Sequence, residues 1–385
     1  MKKILLVSPF PPKLGGVSVS SERLYDNLIN DGYMVSPKNV LTIGPEFSSP
    51  KGGVAQCLST YKASVFSDFR TIVNSREGSK VEKFWIMIIS IIKLFLVLCI
   101  DKRIKIVHIH SASYNSFRRS SLYVKVAKMM KRKVIIHIHG GGFKEYYSKE
   151  NVFVDSVFQK CDALIALSES WKKFFVNTVG CKVVYVVPNI IDNPVSISVK
   201  KDDCFHLLFL GQILKAKGIF DLVEVLAENR KEYEGKLVLD IGGGMHEEEK
   251  LREFLQRENL DTLINFHGWV SGEKKIKLLN LADSFILPSY VEGVPISILE
   301  AESYGVPILS TIVGGIPEIV TDGDNGLLFK PGDKVAIKEA IDKVLYNQKL
   351  RKKMGAYSKE RSNAHLPKNI KKILCDIYTD LIEEC

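Results

Sequence analysis

Short runs of Val, Ile and Leu recur along the chain, each followed by turn residues and a helical pattern. "KKILLVSP" (2–9), "KIVHIHSA" (105–112), "KVIIHIHGGG" (133–142), "ALIALS" (163–168) and "KVVYVVPN" (182–189) are five such runs. A strand that is apolar on both faces needs cover on both, and a parallel sheet flanked by helices supplies it. Residues 193–203, "NPVSISVKKDD", are polar and contain a proline, the texture of a linker. The alternation then restarts with "FHLLFLG", "KLVLDIGGG", "INFHGW", "SFILPS", "PILST" and "GLLFKP". Two successive doubly wound sheets fit this better than one large sheet. The expected division is a first domain over 1–192, a linker over 193–203 and a second domain over 204–362. A terminal amphipathic helix over 363–385 would pack back on the first domain.

Charge divides along the same boundary. Residues 1–192 carry 28 Lys+Arg against 14 Asp+Glu, a net +14, whereas residues 193–385 carry 26 against 30, a net −4. A basic first half suits an anionic membrane or a phosphate-bearing substrate. No RNA-binding motif or aromatic interleaving accompanies it, so nucleic acid is not an expected partner. The seven cysteines are scattered without a C-x-x-C pair, as in a reduced, cytosolic protein. The N-terminal "MKKILLVSPFPP" has too short an apolar stretch for a signal peptide, and its prolines suit a strand entering a loop. "FWIMIISIIKLFLVLCI" (84–100) is 17 residues long and contains Lys93. That is short for a spanning helix, and the central lysine is costly there. A buried or surface-docked helix on a sheet is expected, with an interfacial membrane helix as the other reading.

Several strand ends join glycine to polar residues. Gly15-Gly16 follow the first strand and precede a helix, where backbone N–H groups can approach an anion. "FLGQILKAKGIFDLVEV" (209–225) places Lys215 and Lys217 before a helix that starts near Gly218. Such lysines suit a bound phosphate and equally a solvated loop. "STIVGGIPEIVTDGDNGLLF" (310–329) puts Gly314 and Gly315 before a Pro-containing helix start. "GGG" at 242–244 is not followed by the spacing of a dinucleotide fingerprint, which argues against a nicotinamide oxidoreductase.

His108/His110 and His137/His139 form two H-x-H pairs, each on one strand face. No Cys or carboxylate stands at matching spacing, so no metal site is expected. The last histidine of each pair is expected to reach the cleft, with His139 the functional candidate and His137 core. Arg118, Lys125 and Arg132 recur every seven residues as a basic stripe, either a solvated face or a dock for membrane headgroups or an acceptor phosphate. In "YVEGVPISILEAESYG" (290–305), Glu292 and Glu300 bracket an apolar run at a helix entrance. That pattern suits an ordinary amphipathic helix or a site for a hydroxyl-rich ligand.

Taken together, "YVEGVPISILEAESYGVPIL", "FLGQILKAKG", "VGGIPEIVTDGDNGLLF", "HIHGGGF", "IALSES" and "VVPNIID" resemble the retaining glycosyltransferases of family 4. The resemblance spans almost the whole chain and is most specific in the second half. It implies the GT-B fold: two facing Rossmann-like domains with a cleft between them, an acceptor-binding first and a nucleotide-sugar-binding second. Glu292 and Glu300 match its E-x7-E signature, so Glu292 would orient the donor sugar and Glu300 the ribose. Gly293, Gly314 and Gly315 would meet the diphosphate or sugar. Lys217 matches the lysine that neutralises the leaving diphosphate, and His139 the histidine that faces the reacting sugar. Gln212 stands where the family has arginine, and glutamine supplies neither the charge nor the bidentate fork. Ile190 replaces the glycine of a family Pro-Asn-Gly turn. The resemblance implies a UDP-sugar donor, with a GDP-sugar next, and no metal cofactor, since no D-x-D stands in the expected place. With the basic first half it implies a lipid-linked saccharide acceptor at the cytosolic face of the plasma membrane, for surface polysaccharide. A non-catalytic sugar- or lipid-binding relative is the alternative that Gln212 motivates.

Overall fold

The computed structural model describes residues 37–48, 52–200 and 202–383. The strand expected at 2–9, the helix after it and Gly15-Gly16 lie outside these residues. Two parallel six-stranded sheets follow one another along the chain. The first contains β1 (Val40–Pro45), β2 (Thr71–Ser75), β3 (Ile106–Ser111), β4 (Lys133–Ile138), β5 (Ala163–Ala166) and β6 (Val184–Val186), in the order β2-β1-β3-β4-β5-β6. The second contains β7 (Phe205–Gln212), β8 (Leu237–Gly244), β9 (Ile264–Phe266), β10 (Ser284–Leu287), β11 (Ile308–Thr311) and β12 (Gly326–Phe329), in the order β12-β11-β10-β7-β8-β9. The two Rossmann-like layers read from the sequence are present. β1 and β2 are additions to that reading.

Helices cover both faces, which is why every residue of β3, β5, β10 and β11 is buried. The helix Ile219–Glu228 buries Ile219, Leu222, Val223, Val225 and Leu226, an apolar face at helical spacing that seats it on the second sheet. Each sheet has its own apolar core. A third cluster joins Ile370, Leu374, Tyr378 and Leu381 of the helix Pro367–Glu383 to Val40, Ile106, Ile135 and Ile165 of the first sheet. The last helix of the chain therefore packs on the first domain.

Strand order locates the crevice. From β7 the chain steps outward through β8 to β9, then crosses back to β10 and steps the other way to β12. The two helical layers diverge between β7 and β10, and ligands of open α/β sheets bind at the carboxyl ends of the strands at such a point. In this chain those ends are Gly211-Gln212 and the segment after Leu287.

Candidate active site

A cleft of about 530 Å³ opens at that point, between the two sheets. The first half contributes His139, Gly141 and Asn189 to its walls; the second contributes Gln212, Lys217, Trp269, Lys275, Glu292, Gly293 and Glu300. Glu292 follows β10 and Glu300 lies in the helix Ile296–Ser303, so one strand–helix turn carries both carboxylates.

Both carboxylates are held by lysines. Lys217 Nζ lies 2.5 Å from Glu292 Oε1, which also accepts from Ser289 Oγ at 2.8 Å. Lys275 Nζ lies 2.6 Å from Glu300 Oε1. All four side chains are largely buried at the cleft wall, where an ion pair is screened less than on open surface. Lys215, the residue closest in sequence to compensate for Gln212, is exposed and does not line the cleft among the described residues. The second cation there is Lys275. It was not legible in the sequence because it reaches Glu300 from the helix Gly272–Leu281, across 25 positions of chain. The third carboxylate of that stretch, Glu302, is buried and accepts from Asn325 Nδ2 at 2.7 Å. Burial pushes its pKa up to about 8, so it is a neutral part of the core.

Gly314 and Gly315 sit behind the cleft wall. Gly315 N–H donates to the Gly293 carbonyl at 2.6 Å. Gly314 has φ +57°, and a Cβ there would collide with the Glu292 carbonyl. These glycines let two loops touch and so fix the peptide that follows Glu292.

The four expected histidines form one stack, with neighbouring ring centroids 4.1 to 5.4 Å apart. His139 lines the cleft. His110, also expected to reach it, is buried, because its strand ends beneath the loop that carries His139. Its Nδ1 instead hydrogen-bonds His139 Nε2 at 2.8 Å. His108 bonds the Tyr378 hydroxyl at 2.7 Å, and neither ring nitrogen of His137 has a partner among the described residues. Burial brings the His139 pKa down to about 4, so the imidazole facing the cleft is neutral. The fold also brings Cys57 to this stack, which spacing did not indicate. Donor atoms of Cys57, His110 and His139, and likewise of His108, His110 and His137, lie within 4.8 Å of one another and could hold a metal ion. Burial raises the Cys57 thiol to about 12, so without a metal it is the neutral thiol.

Arg118 pairs with Glu150 at 2.6 Å, Lys125 is exposed, and Arg132 Nη2 donates to the Leu98 carbonyl at 3.2 Å. Across the cleft, Asn189 Nδ2 donates to the Val294 carbonyl at 2.7 Å. Ser168 Oγ donates to Glu318 Oε1 at 2.7 Å, bringing a helix start of each half together. Ile190, in place of the turn glycine, is fully buried in the cluster under the terminal helix.

Residues 14–193 match the family described as Glycosyltransferase Family 4, and residues 193–361 match Glycosyl transferases group 1. An uncharacterized glycosyltransferase of Methanocaldococcus jannaschii is 30% identical over 263 residues, covering 63% of this chain and 67% of its own. An uncharacterized protein in the cps region of Klebsiella pneumoniae is 24% identical over 303 residues, covering 74% of this chain and 80% of its own. Among solved structures, Anabaena HepE in complex with UDP-glucose superposes with a TM-score of 0.70 at 15% identity, over 89% of this chain and 99% of that one.

Proposed function

We propose that this chain, which belongs to the GT-B glycosyltransferases of the family 4 and group 1 type, moves a sugar from a nucleotide sugar to a lipid-linked saccharide with retention at the anomeric carbon. The observation that carries the reading is the pair of lysine–glutamate contacts at the switch point of the second sheet. Two carboxylates suit the hydroxyls of a sugar and a ribose, and the Lys217 ammonium suits a diphosphate. Lys217 leaves Glu292 for the phosphates, and the freed Glu292 orients the donor sugar. Glu300 takes the ribose, and the neutral His139 faces the sugar from the first domain.

The acceptor hydroxyl attacks the anomeric carbon on the face from which the diphosphate departs. The new C–O bond forms as the old one breaks, the hydroxyl proton passes to a departing phosphate oxygen, and the nucleoside diphosphate leaves. Lys217 and the neighbouring backbone N–H groups stabilise the charge that grows on that oxygen, which is where catalytic stabilisation counts most. Lys275 stays on Glu300 and fixes that carboxylate for the ribose.

UDP-sugars are the expected donors, with GDP-sugars next. The resemblance to a fold solved with UDP-glucose supports the first choice. The likeness to a protein of a cps region, and the net +14 of residues 1–192, support a role in surface polysaccharide on a lipid carrier, at the cytosolic face of the plasma membrane. Arg118, Lys125 and Arg132 belong to the half that would meet that acceptor.

Titration calorimetry with a panel of nucleotide sugars, on the native chain and on Glu300→Ala, tests this. One donor should bind the native chain, and the variant should lose it by tenfold or more. If no nucleotide sugar binds the folded native chain, the transferase reading fails, and a non-catalytic sugar- or lipid-binding role replaces it.

A further inference from the structure

The apolar segment of the first domain forms the helix Lys80–Ile100. Its start is closed by a capping box: Ser79 Oγ accepts from Glu82 N–H at 3.2 Å, and Glu82 Oε2 accepts from Ser79 N–H at 2.7 Å. One face is built into the domain. Leu94 and Leu98 are fully buried in the core of the first sheet, and Ser90 Oγ hydrogen-bonds the Tyr123 hydroxyl at 2.6 Å. Arg132 ties down the far end through the Leu98 carbonyl.

The opposite face has no cover. Val81 (66% exposed), Trp85 (57%), Ile89 (61%), Ile92 (54%), Leu96 (52%) and Ile100 (81%) succeed one another at steps of three and four residues. They form one stripe along a helix about 30 Å long. A continuous apolar strip of that length on a protein surface marks an interaction site. Exposed cations frame it: Arg76, Lys80 and Lys83 at one end, Lys93 on its flank and Lys102 at the other, where the neighbouring Arg103 is instead paired with Asp101.

We propose that this stripe lies in the plane of an anionic lipid membrane, its apolar side chains sunk into the boundary between headgroups and acyl chains. The framing cations meet lipid phosphates, and the long stem of Lys93 carries its ammonium up to them. A spanning orientation would pull Leu94 and Leu98 from the core, break the Ser90–Tyr123 bond and strand Lys93 in hydrocarbon. A second copy of the chain fits less well, since antiparallel pairing of two such helices sets Lys93 near its own counterpart and faces like charge with like. The surface stands on these contacts alone. Its purpose, holding the first domain against the bilayer that carries the acceptor, rests on the lipid-linked reading above.

The test is co-sedimentation of the full chain with phosphatidylglycerol–phosphatidylcholine vesicles and with pure phosphatidylcholine vesicles, alongside calorimetric donor binding and the monomer–dimer equilibrium. Ile92→Glu/Leu96→Glu alters exposed positions only, and an unchanged thermal midpoint confirms its fold. The native chain should partition onto anionic vesicles, and this variant at least tenfold less. Lys80→Glu/Lys83→Glu should weaken partition onto anionic vesicles and leave it unchanged on neutral ones. Donor affinity should be unaltered in both. The proposal is overturned if the native chain stays in the supernatant, if the glutamate variant partitions equally, or if that variant instead dissolves a dimer. Vesicle binding without donor binding sinks the transferase reading and keeps the surface; donor binding without vesicle binding does the reverse.

Discussion

Lys217 and Lys275 divide the work of the cleft, and they should divide in kinetics. On the proposed reading, Lys217 follows charge that appears on the departing diphosphate, an interaction stronger in the transition state than in the ground state. Lys275 holds Glu300, so its loss disturbs the ribose contact equally in both states. Lys217→Ala is expected to lower kcat by about 100- to 1,000-fold with a modest change in donor affinity. Lys275→Ala is expected to raise the donor KM by about tenfold and to leave kcat within a few fold. Steady-state rates over a range of donor concentration separate the two, and matching profiles for both variants would refute the division. Glu292 and Glu300 were legible because both belong to one strand–helix turn whose spacing is written in consecutive residues. Lys275 and Cys57 were not, because each reaches its neighbours through the path of the chain, Lys275 over 25 positions to Glu300 and Cys57 from a helix that the apolar runs did not announce.

Elements follow the same logic. β3 to β12 were readable as short runs dominated by apolar residues, broken by few polar residues such as the histidines of β3 and β4, Asp240 of β8 and Asn265 of β9, since a strand covered on both faces has little room for more. β1 and β2 were not: "VLTIGP" carries Gly44 and Pro45, and "TIVNS" is five residues with only two buried. Their identity comes from pairing, Val40 to Ile43 of β1 in register with Ile106 to Ile109 of β3, and Thr42 to Gly44 of β1 in register with Thr71 to Val73 of β2. The helix Lys80–Ile100 begins four residues before its apolar run, because the capping box and not hydropathy sets its start. The terminal helix Pro367–Glu383 was readable as amphipathic, but its anchor was not. Tyr378 reaches 270 positions back to His108, whose other ring nitrogen has no partner among the described residues. Removing the hydroxyl leaves that imidazole buried without its hydrogen bond, at a cost of about 1–3 kcal/mol. Tyr378→Phe should therefore lower the free energy of urea unfolding by about that amount, moving the midpoint down, and speed proteolysis near the C-terminus. An unchanged midpoint would mean that apolar packing of Leu374 and Leu381 alone docks the helix.

At the scale of the whole molecule, the proposed transfer depends on how closely the two halves approach, and Gly141 is one point where they meet tightly. Gly141, in the loop after β4, faces the backbone that follows β10. A Cβ at this glycine would lie 2.5 Å from the Glu292 carbonyl carbon and 2.6 Å from the Gly293 nitrogen. Both obstacles are backbone, and the Gly315–Gly293 bond braces them from behind, so a side chain there must push the halves apart. Asn189 to Val294 and Ser168 to Glu318 span the same gap and would lengthen together. The carboxylates and lysines proposed to hold the donor all belong to the second half, so opening the cleft leaves them in place. What is lost is the position of His139 and of the acceptor relative to the sugar, and a misplacement near 1 Å costs about 100-fold in rate. Gly141→Val is accordingly expected to bind donor within about threefold of the native chain and to lose about 100-fold in transfer. Its radius of gyration in small-angle scattering should be larger than that of the native chain. Donor affinity falling in step with transfer would show that the first half holds the donor itself. In that case the carboxylates of the second half would be necessary for donor binding without being sufficient.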